Sequence, residues 1–430
     1  MSEKPETSRP RRLRDWLNPT GAKKVHSLVD KVYKPKNLLR AWEKVRRNKG
    51  AGGVDGETLE EFEGGLQERL ERLHVELKTD TYRPQPVRQK LIPKAGQPGK
   101  YRPLGIPAIY DRVCQQALLN RLEPIFEPVF DDANFGYRRG RSAQDAMGKI
   151  WRELQDGCEW VVDADLKNFF GTADHDRLIA LVAQRVSDGR VLQLIETMLK
   201  AGCLADGVYQ PTTEGTPQGG VVSPLLSNVL LTPFDWEMRA RGYRLTRYAD
   251  DGVVTCRTRQ EAGQALEEAK KLLTELGVTL NEQKTRIVHV SQGFEFLGYK
   301  IKRGQRKLHL PAHKIRSGTQ PYSLYAHPTQ KALDRFKEQI RQRTRRRAGV
   351  TVQRLINDIN PVIRGWGQYY CKAHVRGLFN RLARWIVQRL WSYRYKRWRC
   401  QGYRELPESK LYGEMGLVNL VHLIPSLASR

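Results

Sequence analysis

Four aspartates stand in two short clusters able to carry chemistry: Asp163 and Asp165 in Trp160-Val161-Val162-Asp163-Ala164-Asp165-Leu166, and Asp250 and Asp251 in Tyr248-Ala249-Asp250-Asp251-Gly252. Carboxylate oxygens are hard donors. A few of them on rigid elements suffice for Mg²⁺, and two such ions roughly 3.5–4 Å apart serve an in-line phosphoryl displacement. Each cluster also has a plainer reading. An Asp-Asp-Gly run is ordinary turn chemistry, because aspartate tolerates turns and glycine supplies positive φ. Two acids two residues apart on a strand face one side and can form a solvated edge.

The surrounding sequence supplies elements to position both clusters. The first is a short apolar run, as in a buried strand ending at a site. The second lies between two β-rich halves, residues 244–248 and 253–256, which is the layout of a hairpin with acids at its turn. The spacing predicts helices over residues 25–45, around Pro35, and over 58–77. A strand hairpin is expected over the proline-punctuated stretch 86–109, and helices over 111–122 and 177–199. Another helix, 261–276, closes at Gly277 as helices often do. From Pro328 onward the texture changes to long basic helices, 331–347 and 377–399, the latter lacing arginines with Trp385, Trp391, Tyr393, Tyr395 and Trp398. Leu378, Leu382 and Trp385 share a helical spacing and are expected in its core.

The balance of charge names a partner class. Lys and Arg number 75 against 47 Asp and Glu among 430 residues, a net +28 with a pI near 10.0. Such a surface calls for an extended anion, nucleic acid before an acidic membrane. The mean hydropathy of -0.62 and the absence of a long apolar run argue against a membrane span. The six cysteines (Cys114, Cys158, Cys203, Cys256, Cys371, Cys400) form no CxxC or CxxH pair, so neither a zinc site nor a disulfide scaffold is signalled. With no apolar leader in the first residues, the expected location is the cytoplasm.

Three blocks in order resemble reverse transcriptases: Val162-Asp163-Ala164-Asp165-Leu166-Lys167-Asn168-Phe169-Phe170, Gly215-Thr216-Pro217-Gln218-Gly219-Gly220-Val221-Val222-Ser223-Pro224, and the YxDD box Tyr248-Ala249-Asp250-Asp251. A wider likeness runs from Asn48-Lys49-Gly50-Ala51-Gly52-Gly53 through Arg102-Pro103-Leu104-Gly105-Ile106-Pro107 and Phe296-Leu297-Gly298-Tyr299 to Gly365-Trp366-Gly367-Gln368-Tyr369-Tyr370. It is similar to bacterial group II intron-encoded reverse transcriptases, or maturases, of the short form lacking a C-terminal endonuclease.

That resemblance implies an α+β right-hand polymerase, with fingers and palm built on antiparallel sheet flanked by helices, followed by an all-α thumb. The implied organisation is a flexible basic arm over 1–20, an N-terminal extension of the fingers over 21–85, fingers and palm over 86–315, a helical thumb or maturase domain over 316–400, and a short DNA-binding-like tail over 401–430. Asp165, Asp250 and Asp251 would bind two Mg²⁺ ions, with Mn²⁺ as a substitute; Asp163 is the alternative to Asp165. Lys94, Arg102, Phe170 and Gln218 would hold the deoxynucleoside triphosphate, Phe170 as a steric gate against a 2′-hydroxyl. Lys90 or Lys100 is the alternative to Lys94. Arg138, Arg139 and Arg141 would touch the template, and Lys284, Gly298 and Tyr299 the later blocks that include the primer grip. The implied partners are group II intron RNA, an RNA template with a DNA primer, and target DNA. Rival readings are a reverse transcriptase serving defence or repair without an intron, an RNA-binding splicing factor, and an RNA polymerase sharing the two-metal chemistry. Gly171 departs from the family, whose members commonly place an acid there, and His175 is expected to be structural.

Overall fold

Pro35 begins a helix rather than interrupting one. The apolar residues around it divide between a single turn, Val29–Val32, and a longer helix, Pro35–Asn48, whose first turn suits proline's fixed φ and missing N–H. The structure is a computed structural model that describes residues 17–18, 21–93, 99, 101–215, 219–307, 322–345, 349–395 and 402–425. Lys94, Lys100 and Gln218 lie outside the described residues. The chain divides into two units, Met1–Leu154 with Cys158–Ile287, and Gln155–Gly157 with Val288–Arg430.

In the first unit, the helix expected over 58–77 is two helices, Leu59–Gly64 and Leu66–Thr79, meeting at Gly65. A capping box between Thr58 and Glu61 starts the first of them. The proline-rich stretch forms strands β1 (Val87–Pro93) and β2 (Tyr101–Ile106), paired antiparallel with Arg102 opposite Ile92. After helix Ile109–Phe126 and helix Ala143–Gln155 comes β3 (Trp160–Asp165). The helix expected over 177–199 is also broken, into His175–Val182 and Gly189–Leu199. Asp188 makes the break: its carboxylate accepts from the N–H groups of Arg190 (3.1 Å) and Val191 (3.3 Å) at the new helix start, and from Leu28 (2.7 Å) and Val29 (2.8 Å). Burial opposes its charge, yet these four donors together hold the carboxyl below its ordinary range.

Strands β4 (Cys203–Ala205) and β5 (Val208–Gln210) extend the first hairpin into a sheet of order β2-β1-β4-β5, with β4 parallel to β1. A second sheet, of order β6-β7-β3-β8, contains β6 (Arg244–Tyr248), β7 (Asp251–Cys256) and β8 (Arg286–His289). Helices Ser223–Ala240 and Arg259–Glu275 pack on this sheet. Val162, Leu245 and Val254 join the core with Leu226, Val229 and Leu272. Strand alternation therefore turns Asp163 and Asp165 to the opposite face.

The second unit opens with an antiparallel sheet of order β11-β10-β9, formed by β9 (Phe294–Phe296), β10 (Tyr299–Lys307) and β11 (Tyr322–Pro328). Helices Gln330–Arg343, Val352–Tyr370 and Arg376–Tyr395 follow. Phe336, Ile340, Ile356, Ile363, Phe379, Leu382 and Leu390 are buried there. Leu382 joins this core as expected, whereas Trp385 is half-buried with the guanidinium groups of Arg341 (5.9 Å) and Arg389 (5.5 Å) over its ring. Trp391 and Tyr393 spend their polar atoms inside the protein, on the carbonyls of Leu406 (2.9 Å) and Val350 (2.9 Å).

Candidate active site

The two aspartate clusters meet across one strand pair. β3 and β7 run antiparallel with Asp165 directly opposite Asp251, and directly opposed residues project from the same face. Asp250 sits one residue earlier, in the turn that joins Tyr248 to Asp251. Burial, then the charge of Asp165, pushes the Asp250 carboxyl up. Burial, then the neighbouring carboxylates of Asp250, Asp165 and Asp163, pushes Asp251 up to about 6. Asp165 accepts from Lys284 Nζ (2.8 Å) and Asn281 Nδ2 (3.2 Å), while Asp163 pairs with Arg286 (3.2 Å).

The turn bearing Asp250 is held from behind. Ala249 lies at φ +58°, a left-handed conformation that costs a residue with a Cβ roughly 1–2 kcal/mol. Arg247, which is buried, donates Nη1 to the Ala249 carbonyl (2.8 Å) and to Asn228 Oδ1 (3.2 Å). Its Nε and Nη2 form a fork on the buried carboxylate of Asp235 (2.7 and 2.5 Å). On the other side, a Cβ at Gly136 would stand 2.2 Å from the Ala249 nitrogen, so only glycine permits this approach. Sequence reasoning missed Arg247, Asp235 and Asn228. Residues 244–248 read Arg-Leu-Thr-Arg-Tyr, so the sequence offers no signal that separates the buried Arg247 from Arg244 on the same strand.

Phe170, expected at the nucleotide, and Gly171 line a cavity of about 210 Å³ with Gln89, Pro103, Gly105, Met198, Cys203 and Gly215. Phe170 packs edge-on against the buried Phe169 ring (centroids 5.3 Å apart, planes at 74°). A Cβ at Gly215 would meet the Phe170 carbonyl at 2.7 Å, and one at Gly219 would meet the Gly105 carbonyl at 2.2 Å. Gly215 is thus pressed against the Phe170 segment and Gly219 against β2. At Gly171 a Cβ would fall 2.4 Å from the Asn168 side-chain amide, so a larger residue there requires that amide to move. Arg102 is exposed on β2. The Tyr137 phenol feels it together with the acids: burial and then Asp250 push that phenol up, and Arg102 pulls it down. His175 is buried, with Nε2 2.6 Å from the Gly215 carbonyl, a structural contact as expected.

The three arginines expected at the template lie in different environments. Arg138 is buried, paired with Glu127 (2.7 Å) and donating to the carbonyls of Asp131 (2.7 Å) and Asn134 (3.1 Å). Arg139 remains largely exposed beside Glu123, and Arg141 is bound to Asp132 and lies over the Phe135 ring. Lys284 lies at the acids rather than apart from them. Gly298 and the buried Tyr299 belong to the second unit.

Residues 92–301 match the family model for reverse transcriptase (RNA-dependent DNA polymerase), and residues 333–409 match that for the group II intron maturase-specific domain. The protein YkfC of Escherichia coli is 34% identical over 332 residues, covering 68% of this chain and 87% of YkfC. The chain belongs to the group II intron-encoded reverse transcriptases. The group II intron-encoded protein LtrA of Lactococcus lactis is 33% identical over 338 residues, covering 63% of this chain and 56% of LtrA. A 91 kDa protein from a cob intron of Schizosaccharomyces pombe is 27% identical over 419 residues, 82% of this chain and 51% of that protein. The chain thus spans about half the length of these two longer relatives. The family's activity is RNA-directed DNA polymerisation, joined to intron splicing and mobility. None of the helices among the described residues is long and apolar enough to cross a membrane.

Reverse transcriptases use divalent metal. Among the described residues of this reverse transcriptase, no three acidic, histidine or cysteine side chains already form a metal cage. The donor chemistry nevertheless fits, since two carboxylates share a sheet face, a third lies in the adjoining turn, and they repel one another. A pH signature follows. Because the Asp251 pKa is raised to about 6, its contribution to stability falls as pH rises from the unfolded value, about 4, through that folded value. A dication removes that repulsion, and protons compete with it. The rise in melting temperature on adding Mg²⁺ or Mn²⁺ is therefore expected to be larger at pH 7.5 than at pH 5, and scanning fluorimetry at both pH values checks it. Equal shifts would remove Asp251 from the metal site.

Proposed function

We propose that this chain extends a DNA primer on an RNA template by two-metal phosphoryl transfer, Asp165, Asp250 and Asp251 binding two Mg²⁺ ions, and that it binds group II intron RNA to assist splicing and mobility at target DNA. The observation that carries the catalytic reading is the pairing of Asp165 with Asp251 on neighbouring strands beside the Asp250 turn. Divalent ions bound there would neutralise charge developing on the attacking and leaving oxygens. Lys284 holds Asp165 before metal enters. Arg102 supplies a guanidinium fork for the triphosphate, with Lys94 as a point charge and Gln218 against the nucleotide. Phe170 excludes a 2′-hydroxyl by volume. Arg139 and Arg141 serve the template backbone, and Gly298 with Tyr299 the primer.

The test is extension of a DNA primer on a long structured RNA with Mg²⁺, supplied with deoxy- or ribonucleotides. The parent should extend with deoxynucleotides, and Phe170→Ala should raise relative ribonucleotide use about tenfold or more, a difference of ~1.4 kcal/mol in discrimination. No extension by the parent would overturn the polymerase reading, and an unchanged ribose preference would remove Phe170 from the gate. Salt-dependent binding of a group II intron RNA over an unrelated RNA tests the maturase role.

A further inference from the structure

The turn between β9 and β10 joins Phe296 to Tyr299 through two residues, both with positive φ: +48° at Leu297 and +77° at Gly298. Turns of this kind follow the twist of the strands but are normally made of Asn, Asp and Gly. Leucine in the first position is strained, so other groups must hold the conformation. Two tyrosines at the end of helix Val352–Tyr370 do so. Tyr369 Oη donates to the Leu297 carbonyl (2.8 Å), and Tyr370 Oη donates to the Gly298 carbonyl (3.2 Å). The Gly298 carbonyl also accepts from the Thr329 N–H (2.9 Å). Tyr299 returns the contact by donating to the Tyr369 carbonyl.

The rings are fixed as well. Tyr299 stacks on Tyr369 (5.4 Å) and lies 4.9 Å from Tyr370, which packs on Trp366 (4.8 Å), itself stacked on Phe336 (4.5 Å). A Cβ at Gly298 would come within 2.7 Å of Tyr370 Oη. Both carbonyls of one strained turn are therefore set from one end of a helix that lies within the maturase-specific match.

Resting on the polymerase reading and on the primer-grip role of the Gly298 segment, we propose that Tyr369 and Tyr370 are positioning residues for the primer strand, holding the Leu297-Gly298 turn in its left-handed conformation so that a maturase-domain helix sets primer affinity. Tyr369→Phe and Tyr370→Phe keep the rings and delete only the donors. In steady-state extension by the full chain on an RNA template with an annealed DNA primer, each should raise the KM for primer–template about fivefold, the loss of one net hydrogen bond. The kcat and the KM for deoxynucleotide should stay at the parent's values. Gly298→Ala should raise that KM further in the parent than in the Tyr370→Phe background, where the clash is relieved. A parent that extends no primer overturns the polymerase reading and this proposal with it. A parent that extends, with an unchanged primer–template KM in both phenylalanine variants, overturns this proposal alone. So does a fall in kcat without a change in that KM, or an equal cost of Gly298→Ala in the two backgrounds.

Discussion

Asp250→Ala is expected to lower primer extension at least about a thousandfold, ~4 kcal/mol of lost transition-state stabilisation, while leaving the fold as stable as the parent or more so. The two expectations share one cause. Asp250 is half-buried beside other carboxylates, and burial with the charge of Asp165 already disfavours its ionised form. Its removal relieves Asp251, whose pKa is raised by burial and then most by Asp250. A residue whose charge destabilises the metal-free fold is one whose place depends on chemistry. A residue serving only as a turn former would behave oppositely, because its loss would cost stability and leave single-turnover extension near the parent rate. Single-turnover extension measured beside a thermal melt at pH 7.5 separates the two, and extension within tenfold of the parent would end the metal-ligand assignment.

Parts of this arrangement were open to reading from the sequence, and the reasons are local. The strands holding Asp165 and Asp251 announce themselves through Val161, Val162, Val253 and Val254, and the turn between Tyr248 and Asp251 through its acids and glycine. Local chemistry says much less about partners distant in the chain. Asp188 reads as one polar residue in a long helical pattern, yet it ends that pattern because two helix starts converge on its carboxylate. Arg138 and Arg139 are adjacent and chemically identical. One is buried on Glu127 and the other left exposed beside Glu123, a difference set by tertiary packing. Helix Val352–Tyr370 escaped because Pro361, Gly365 and Gly367 look like breakers, although buried Ile359 and Ile363 carry the helix through them. The sheet of β9, β10 and β11 escaped because lysines and arginines fill much of β10.

Arg247 is the same lesson with the largest consequence for stability. Asp235→Ala is expected to destabilise the first unit by about 3–5 kcal/mol, because it leaves a guanidinium buried without its counter-charge. Arg247 and Asp235 are 2% and 0% exposed, so water cannot replace the lost partner. Thermal or denaturant unfolding measures this, and a loss below about 1 kcal/mol would mean the pair is dispensable. The damage should extend to the reaction, since the same guanidinium binds the carbonyl of Ala249 one residue before Asp250. A double replacement divides the two effects. Asp235→Leu with Arg247→Met exchanges a buried ion pair for apolar volume and should recover most of the lost stability. It gives no donor back to the Ala249 carbonyl, so extension should remain impaired at temperatures where the double variant is fully folded. Recovery of both together would show that Arg247 only fills space, and that the strained turn before Asp250 holds itself.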